Sequence, residues 1–242
     1  MAISSPLGSR QTVAALLTLT AVTGLVDAVS YLRLGRVFVA NMTGNVVFLG
    51  FSADPRSGLS AAASVIAIAG FLLGALAGGR AAHALAAARP GRWLAMAFTG
   101  EALILGAVAA LTGTGVLPFA GPGRFATIAV LAVALGVQNS TVRHLGAPDL
   151  TTTVLTLTLT GLAADSSLAG GPGARPHRRL GSVAAMLAGA GAGAGILQWL
   201  SPAAVIAVAA VLVAAVAAAF LTAVPAAVGK PLHRAPSPAL QT

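Results

Sequence analysis

Two acids fall inside apolar runs. Asp27 directly follows the run from Val13 to Val26, and Glu101 stands eight residues past Trp93 in another. A carboxylate at the centre of a membrane helix costs on the order of 2.5–3.5 kcal/mol on insertion scales. Each must therefore be protonated, find a partner, or open to a water-filled cavity. An acid so placed can carry a proton or bind a cation. A third cluster sits in "VFVANMTGNVVFLG" (37–50), where Asn41, Thr43 and Asn45 put two amides and a hydroxyl amid apolar residues. An amide left unpaired in such a setting costs about 1–3 kcal/mol. It is kept where it bonds a neighbouring helix, caps a broken helix, or meets a solute. Gly44 is expected to supply the sharp turn of a segment that dips in and returns.

Two further stretches carry the same chemistry. Gln138 and Asn139 stand side by side near the end of an apolar run, and "LTTTVLTLTLTG" (150–161) holds six threonines. Period-two alternation at Thr156, Thr158 and Thr160 fits an extended stretch with a hydroxyl face. A helix is favoured over it, because lipid-exposed extended backbone leaves its polar groups unpaired. The expected solute-binding set is Asp27, Asn41, Thr43, Asn45, Glu101, Gln138, Asn139, Thr152 and Thr156. The alternative is that these groups only hold helices together, at about 0.6 kcal/mol per bond.

The elements that position these residues are membrane spans. Of 242 residues, 57% are hydrophobic and 8% charged, against about a quarter charged in soluble domains. A chain this apolar cannot cover its own surface in water, which makes it an all-α integral membrane protein. The net charge of +9 comes from cations that fall singly or in small groups between apolar runs, as topology signals are. Nucleic-acid binding needs them gathered on one face. There is no cysteine, so thiol and disulfide chemistry is excluded. The four histidines lack metal-ligand spacing, and no phosphate-binding loop, Gly-x-Ser-x-Gly or paired-histidine zinc motif occurs. The expectation is a non-enzyme without cofactor. Its partners would be the lipid bilayer, a small solute or proton, and a second copy of the chain. Nucleic acid is not among them.

Six segments reach the roughly 20 residues that a bilayer crossing needs: 13–32, 59–79, 93–113, 125–142, 180–200 and 202–224. Two, 37–51 and 150–164, are shorter. Arginine placement decides how the short ones sit. If all eight cross, the cations divide eight to six. If the short segments dip in and return, ten lie with the N-terminus (Arg10, Arg80, Arg89, Arg92, Arg143, Arg175, Arg178, Arg179, Lys230 and Arg234) and four opposite (Arg33, Arg36, Arg56 and Arg124). The positive-inside tendency selects the second arrangement, with both termini cytoplasmic in a bacterial inner membrane and the first run retained as a span rather than cleaved. The expectation is therefore six transmembrane helices plus two re-entrant or half-membrane segments.

The order of elements also repeats. A shift of 111 places Leu34-Gly35 on Leu145-Gly146, Gly50 on Gly161, and Ala53-Asp54 on Ala164-Asp165. With three crossings per half, the second half enters from the other side. That is the inverted repeat found in transporters, here over about 10–117 and 124–224. Gly70, Gly74 and Gly78, and Gly189 with Gly193, are spaced for close helix approach. These equivalent spans are expected to pack on each other along the pseudo-twofold axis. The proline-rich end, from Pro225 on, reads as disordered, with a cytoplasmic tail over 229–242 after a single domain over 1–228.

The stretch "GLVDAVSYLRLGRVFVANMTGNVVFLG" (24–50) resembles the signature of the YoaK family of bacterial inner-membrane proteins. Asp27, Ser30, Tyr31, Gly35, Asn41, Met42, Thr43, Gly44 and Asn45 carry the likeness. "LGVQNSTVRHLG" (135–146) is similar to a second element of that family. The resemblance implies a multi-span membrane fold over about 10–225, and brings no activity, substrate or cofactor with it. The function read from the residues is a small-solute transporter or channel, with a non-transporting scaffold or complex subunit as the alternative.

Overall fold

The computed structural model describes residues 5–86, 89–145, 155–171 and 176–228, and among them every regular element is helical. The eight α-helices are α1 (Ser9–Arg33), α2 (Met42–Phe51), α3 (Ala61–Leu85), α4 (Pro90–Gly113), α5 (Arg124–His144), α6 (Leu155–Ala164), α7 (Pro176–Trp199) and α8 (Pro202–Val228). Six are long and apolar enough to cross a membrane. The other two, α2 and α6, have ten residues each, or about 15 Å, half the hydrocarbon core. Residues 156–160 are helical, which removes the extended reading of the threonine alternation there. Helix α8 runs through Pro225 to Val228, four residues past the expected end. The tail over 229–242 lies outside the described residues.

The long helices pair tightly as α1 with α7, α3 with α5, and α4 with α8. The looser pairs are α1 with α8 and α4 with α5, while α2 rests on α3 and α6 on α7. Exchanging α1 with α5, α2 with α6, α3 with α7 and α4 with α8 maps this pattern onto itself. An inverted repeat produces such a pairing.

Helix directions fix the number of crossings. Gly70, Gly74 and Gly78 of α3 meet Ala129, Val133 and Val137 of α5 in that order, so α3 and α5 run parallel. Gly189 and Gly193 of α7 meet Ala21 and Leu25 of α1, also parallel. In contrast α4 and α8 oppose each other. Phe98 stacks on Phe220 with ring centroids 5.6 Å apart, and Gly113 faces Ala203. Were both short helices to cross, α4 and α8 would be parallel. Were only one to cross, whichever it was, α1 and α7 would be antiparallel. Six crossings satisfy every pair. We call the end where α1 begins the N face.

The glycine contacts correct two expectations. The glycine-spaced helices α3 and α7 do not pack on each other; each takes the first span of the other half. Any Cβ on Gly136 would run into the backbone of Phe71 and Ala75, and any Cβ on Gly24 into that of Met186 and Ala190. Glycines thus lie on both sides of each crossing, which lets the backbones touch. These matched contacts also set the repeat offset at 112 between α1 and α5 and 115 between α3 and α7, in place of a uniform 111. Asp27 is therefore equivalent to Asn139. In so biased a composition, chance identities shift an alignment by a residue that packing does not allow.

Candidate functional site

After α1 ends at Arg33, the chain turns at Gly35 (φ 99°) and Arg36 (φ 57°). Both sit in the left-handed region that glycine tolerates best. Residues 37–41 then run back beside α1, burying Val37, Val39 and Ala40. They reach the depth of Asp27, six residues or about 9 Å inside the end of α1. There α2 begins and leads back out toward α3. The segment 37–51 is thus re-entrant, with its inward limb a loop and only its outward limb helical.

Asp27 holds this loop in place. Its Oδ1 accepts from the backbone N–H groups of Val39 (2.9 Å) and Ala40 (3.0 Å). Its Oδ2 accepts from the side-chain amide of Asn41. The carboxylate sits at the N-terminus of α2, where the helix dipole and unpaired N–H groups favour negative charge. Asn41 is the N-cap residue of α2 but makes no side-chain cap bond, and the acid from α1 supplies the acceptor. Asn45 closes the other side: its Oδ1 accepts from Phe38 N–H (2.9 Å) and its Nδ2 donates to Phe38 C=O (2.6 Å). Gly44 makes no turn. It lies within α2, where any Cβ would press 2.7 Å from the Phe38 ring. That ring stacks on Tyr31 and Phe48 at 5.1 and 5.5 Å. Thr43 is exposed.

Glu101 differs in every respect but burial. It lies at the midpoint of α4, is 2% exposed, and faces inward with Leu94, Phe98, Leu105 and Val108. Neither carboxylate oxygen has a hydrogen-bond partner. No hydrogen bond therefore joins it to Asp27, Gln138 or Asn139, its companions in the expected solute-binding set. Gln138 donates from Nε2 to Thr23 Oγ1 (3.0 Å), bridging α5 to α1 one turn before Asp27, and keeps Oε1 unpartnered. Asn139 donates to Leu135 C=O at 2.9 Å. Thr156 is exposed on α6, and Thr152 lies outside the described residues.

Three features escaped the sequence. Thr141 is fully buried with an unpartnered hydroxyl. His83 and His144, 61 positions apart, meet edge to face at 5.6 Å, with Trp93 6.1 Å from His144. Among the described residues no three potential ligands gather for a metal. The third feature is a cavity of about 280 Å³ between α3, α4 and α5, lined by Thr141, Trp93 and Ala97 among others. Only the parallel run of α3 and α5 could have foretold the histidine contact.

Six long apolar helices, two half-length helices and a loop that re-enters the bundle define a multi-span membrane protein. The chain belongs to the family described as Protein of unknown function (DUF1275), whose model matches residues 15–219. It is similar to the UPF0700 transmembrane protein YoaK of Bacillus subtilis (strain 168), at 34% identity over 163 residues, 65% of this chain and 68% of that one. The family resemblance read from residues 24–50 is thereby borne out. No solved structure matches the chain.

Proposed function

We propose that this chain is a small-solute transporter of a bacterial inner membrane, with Glu101 as its proton-carrying or cation-binding group. The observation that carries the reading is the Glu101 carboxylate, buried at mid-span without a partner. A group that costs this much and bonds nothing in the resting fold is one a moving ion can satisfy. The two opposed halves supply the rocking geometry of alternating access. The N face is cytoplasmic in this reading. Of the described arginines it carries Arg10, Arg80, Arg89, Arg92, Arg143, Arg178 and Arg179, against Arg33, Arg36, Arg56 and Arg124 opposite, the sense of the positive-inside tendency. Binding and passage are proposed, without catalysis.

The test is proton movement in proteoliposomes loaded with a pH-sensitive dye and challenged with a panel of amino acids, sugars, nucleosides and small organic cations. At least one solute should drive a proton signal absent from empty liposomes and lowered tenfold or more by Glu101→Gln. A signal unchanged in that variant removes Glu101 from the mechanism. The second reading, a non-transporting scaffold or complex subunit, is favoured by Asp27, Asn41 and Asn45, whose polar atoms bond their own chain. Silence across the whole panel would support it.

A further inference from the structure

We infer that water reaches Glu101 from the N face alone, through the cavity between α3, α4 and α5, past the Thr141 hydroxyl and the free carbonyl of Gln138. The inference deepens the transporter reading and rests on it for its purpose, though the path itself is testable without transport.

On the α4 side, Trp93 and Ala97 line the cavity, and Glu101 continues the series at intervals of four, which keeps all three on one helix face. The cavity therefore stops one turn short of the acid. On the α5 side it is lined by Val137 and Thr141. The Trp93–His144 contact sets the depths. Glu101 lies eight residues inward from Trp93, about 12 Å, and Gln138 six inward from His144, about 9 Å. The two stand within one turn of the same level.

Thr141 and Gln138 are both fully buried, and each keeps one polar atom with no protein partner. Buried polar groups are almost always satisfied, by protein or by water. A volume of about 280 Å³ holds several waters, each needing two to four polar partners. Thr141 belongs to the cavity wall, while Gln138 Oε1 and the Glu101 carboxylate lie deeper, beyond its lining, and are the groups that a water moving inward from it would meet in order of depth. Toward the opposite face the inward residues of α4, α5 and α8 turn apolar: Leu105 and Val108, Ile128 and Leu131, Val205 and Ile206, all at most 2% exposed. At that end Arg124 Nε, on the first residue of α5, is a buried polar atom without a partner, while the deeper polar side chains of that half are bonded. Asp27 and Asn45 hold the loop, Ser30 donates to Asp27 C=O, and Thr127 donates to Pro118 C=O. From mid-span to the N face the bundle thus has a series of unpartnered polar atoms, whereas toward the other face the unpartnered atom is Arg124 Nε at the helix end, separated from Glu101 by the apolar residues above.

The chain lacks cysteine, so single cysteines report cleanly. Ala97→Cys and Thr141→Cys are labelled with a charged, membrane-impermeant methanethiosulfonate applied to either side of oriented vesicles. Ser9→Cys marks the N face and Ala53→Cys the opposite face. The two cavity cysteines should react from the Ser9 side at least tenfold faster than Leu105→Cys and Val108→Cys, which should stay protected from both sides. Protection of both cavity cysteines, or reaction from the Ala53 side, overturns the inference. So does reaction only with lipid-soluble N-ethylmaleimide, which would make the cavity a lipid groove. If Thr141→Cys elutes aggregated on gel filtration, Ala97→Cys decides alone. Labelling as expected with no solute-driven proton signal keeps the path and removes the transporter. A signal abolished by Glu101→Gln with both cysteines protected does the reverse.

Discussion

Asp27 and Glu101 are buried to the same degree, 4% and 2% exposed, yet one is surrounded by donors and the other by none. Around Asp27 the chain itself supplies the donors: two backbone N–H groups and one amide, delivered by a loop that folds back 12 to 14 residues later. On the buried face of α4, Glu101 stands between Phe98 and Leu105, and Phe98 stacks on Phe220 of α8. An acid in oil is therefore not one kind of site. The first makes a broken helix stable, and the second is a cost left standing. The contrast separates architecture from candidate function more sharply than the acidic side chain does.

The strongest way to break the contrast is Asp27→Leu. Three donors lose their acceptor, and each orphaned buried group costs about 1–3 kcal/mol. A loss on the order of 3 kcal/mol or more should prevent the protein from accumulating in the membrane, read as the yield of monodisperse protein after detergent extraction. Near-normal yield would mean the loop holds without its clamp. Asn45→Ala tests the same region from the other limb. Phe38 loses both its backbone bonds to the amide, and a cost of about 2 kcal/mol should lower the thermal midpoint while leaving the fold intact.

Glu101→Leu should act in the opposite direction. Leucine fills a similar volume and removes a carboxyl whose charged form costs on the order of 2.5–3.5 kcal/mol at mid-span, so the thermal midpoint should rise or hold. A clear fall would mean that the acid is paired like Asp27 and that the contrast is false.

The sequence carried one side of this contrast better than the other. Hydropathy and length placed all six spans, because lipid demands about 20 apolar residues regardless of the partner helix. The cation count placed the re-entrant segment, because that signal belongs to topology and not to packing. The donors on Asp27 were not legible. Two are backbone groups of Val39 and Ala40, which carry no side-chain signature, and they arrive through left-handed turns at Gly35 and Arg36. The bond from Gln138 to Thr23 spans 115 positions and follows only from the pairing of whole helices. Glu101 could be singled out but not judged, since a missing partner becomes visible only when all the neighbours are placed.

The smallest effect is the most discriminating. Thr141→Val keeps the side-chain shape and removes one hydroxyl that has no protein partner. If the cavity is dry, the hydroxyl is a buried orphan of the Glu101 kind, and its removal should stabilise the protein by about 1 kcal/mol or more. If the cavity is wet, the hydroxyl already bonds water, a contact nearly as good as a direct bond. The change should then fall within about 0.5 kcal/mol of zero. We expect the second result, a thermal midpoint indistinguishable from the parent, since Thr141 lines a cavity that ends one turn short of a carboxylate. A clear gain in stability would place Thr141 with Glu101 in a dry core and leave the acid without its aqueous neighbour.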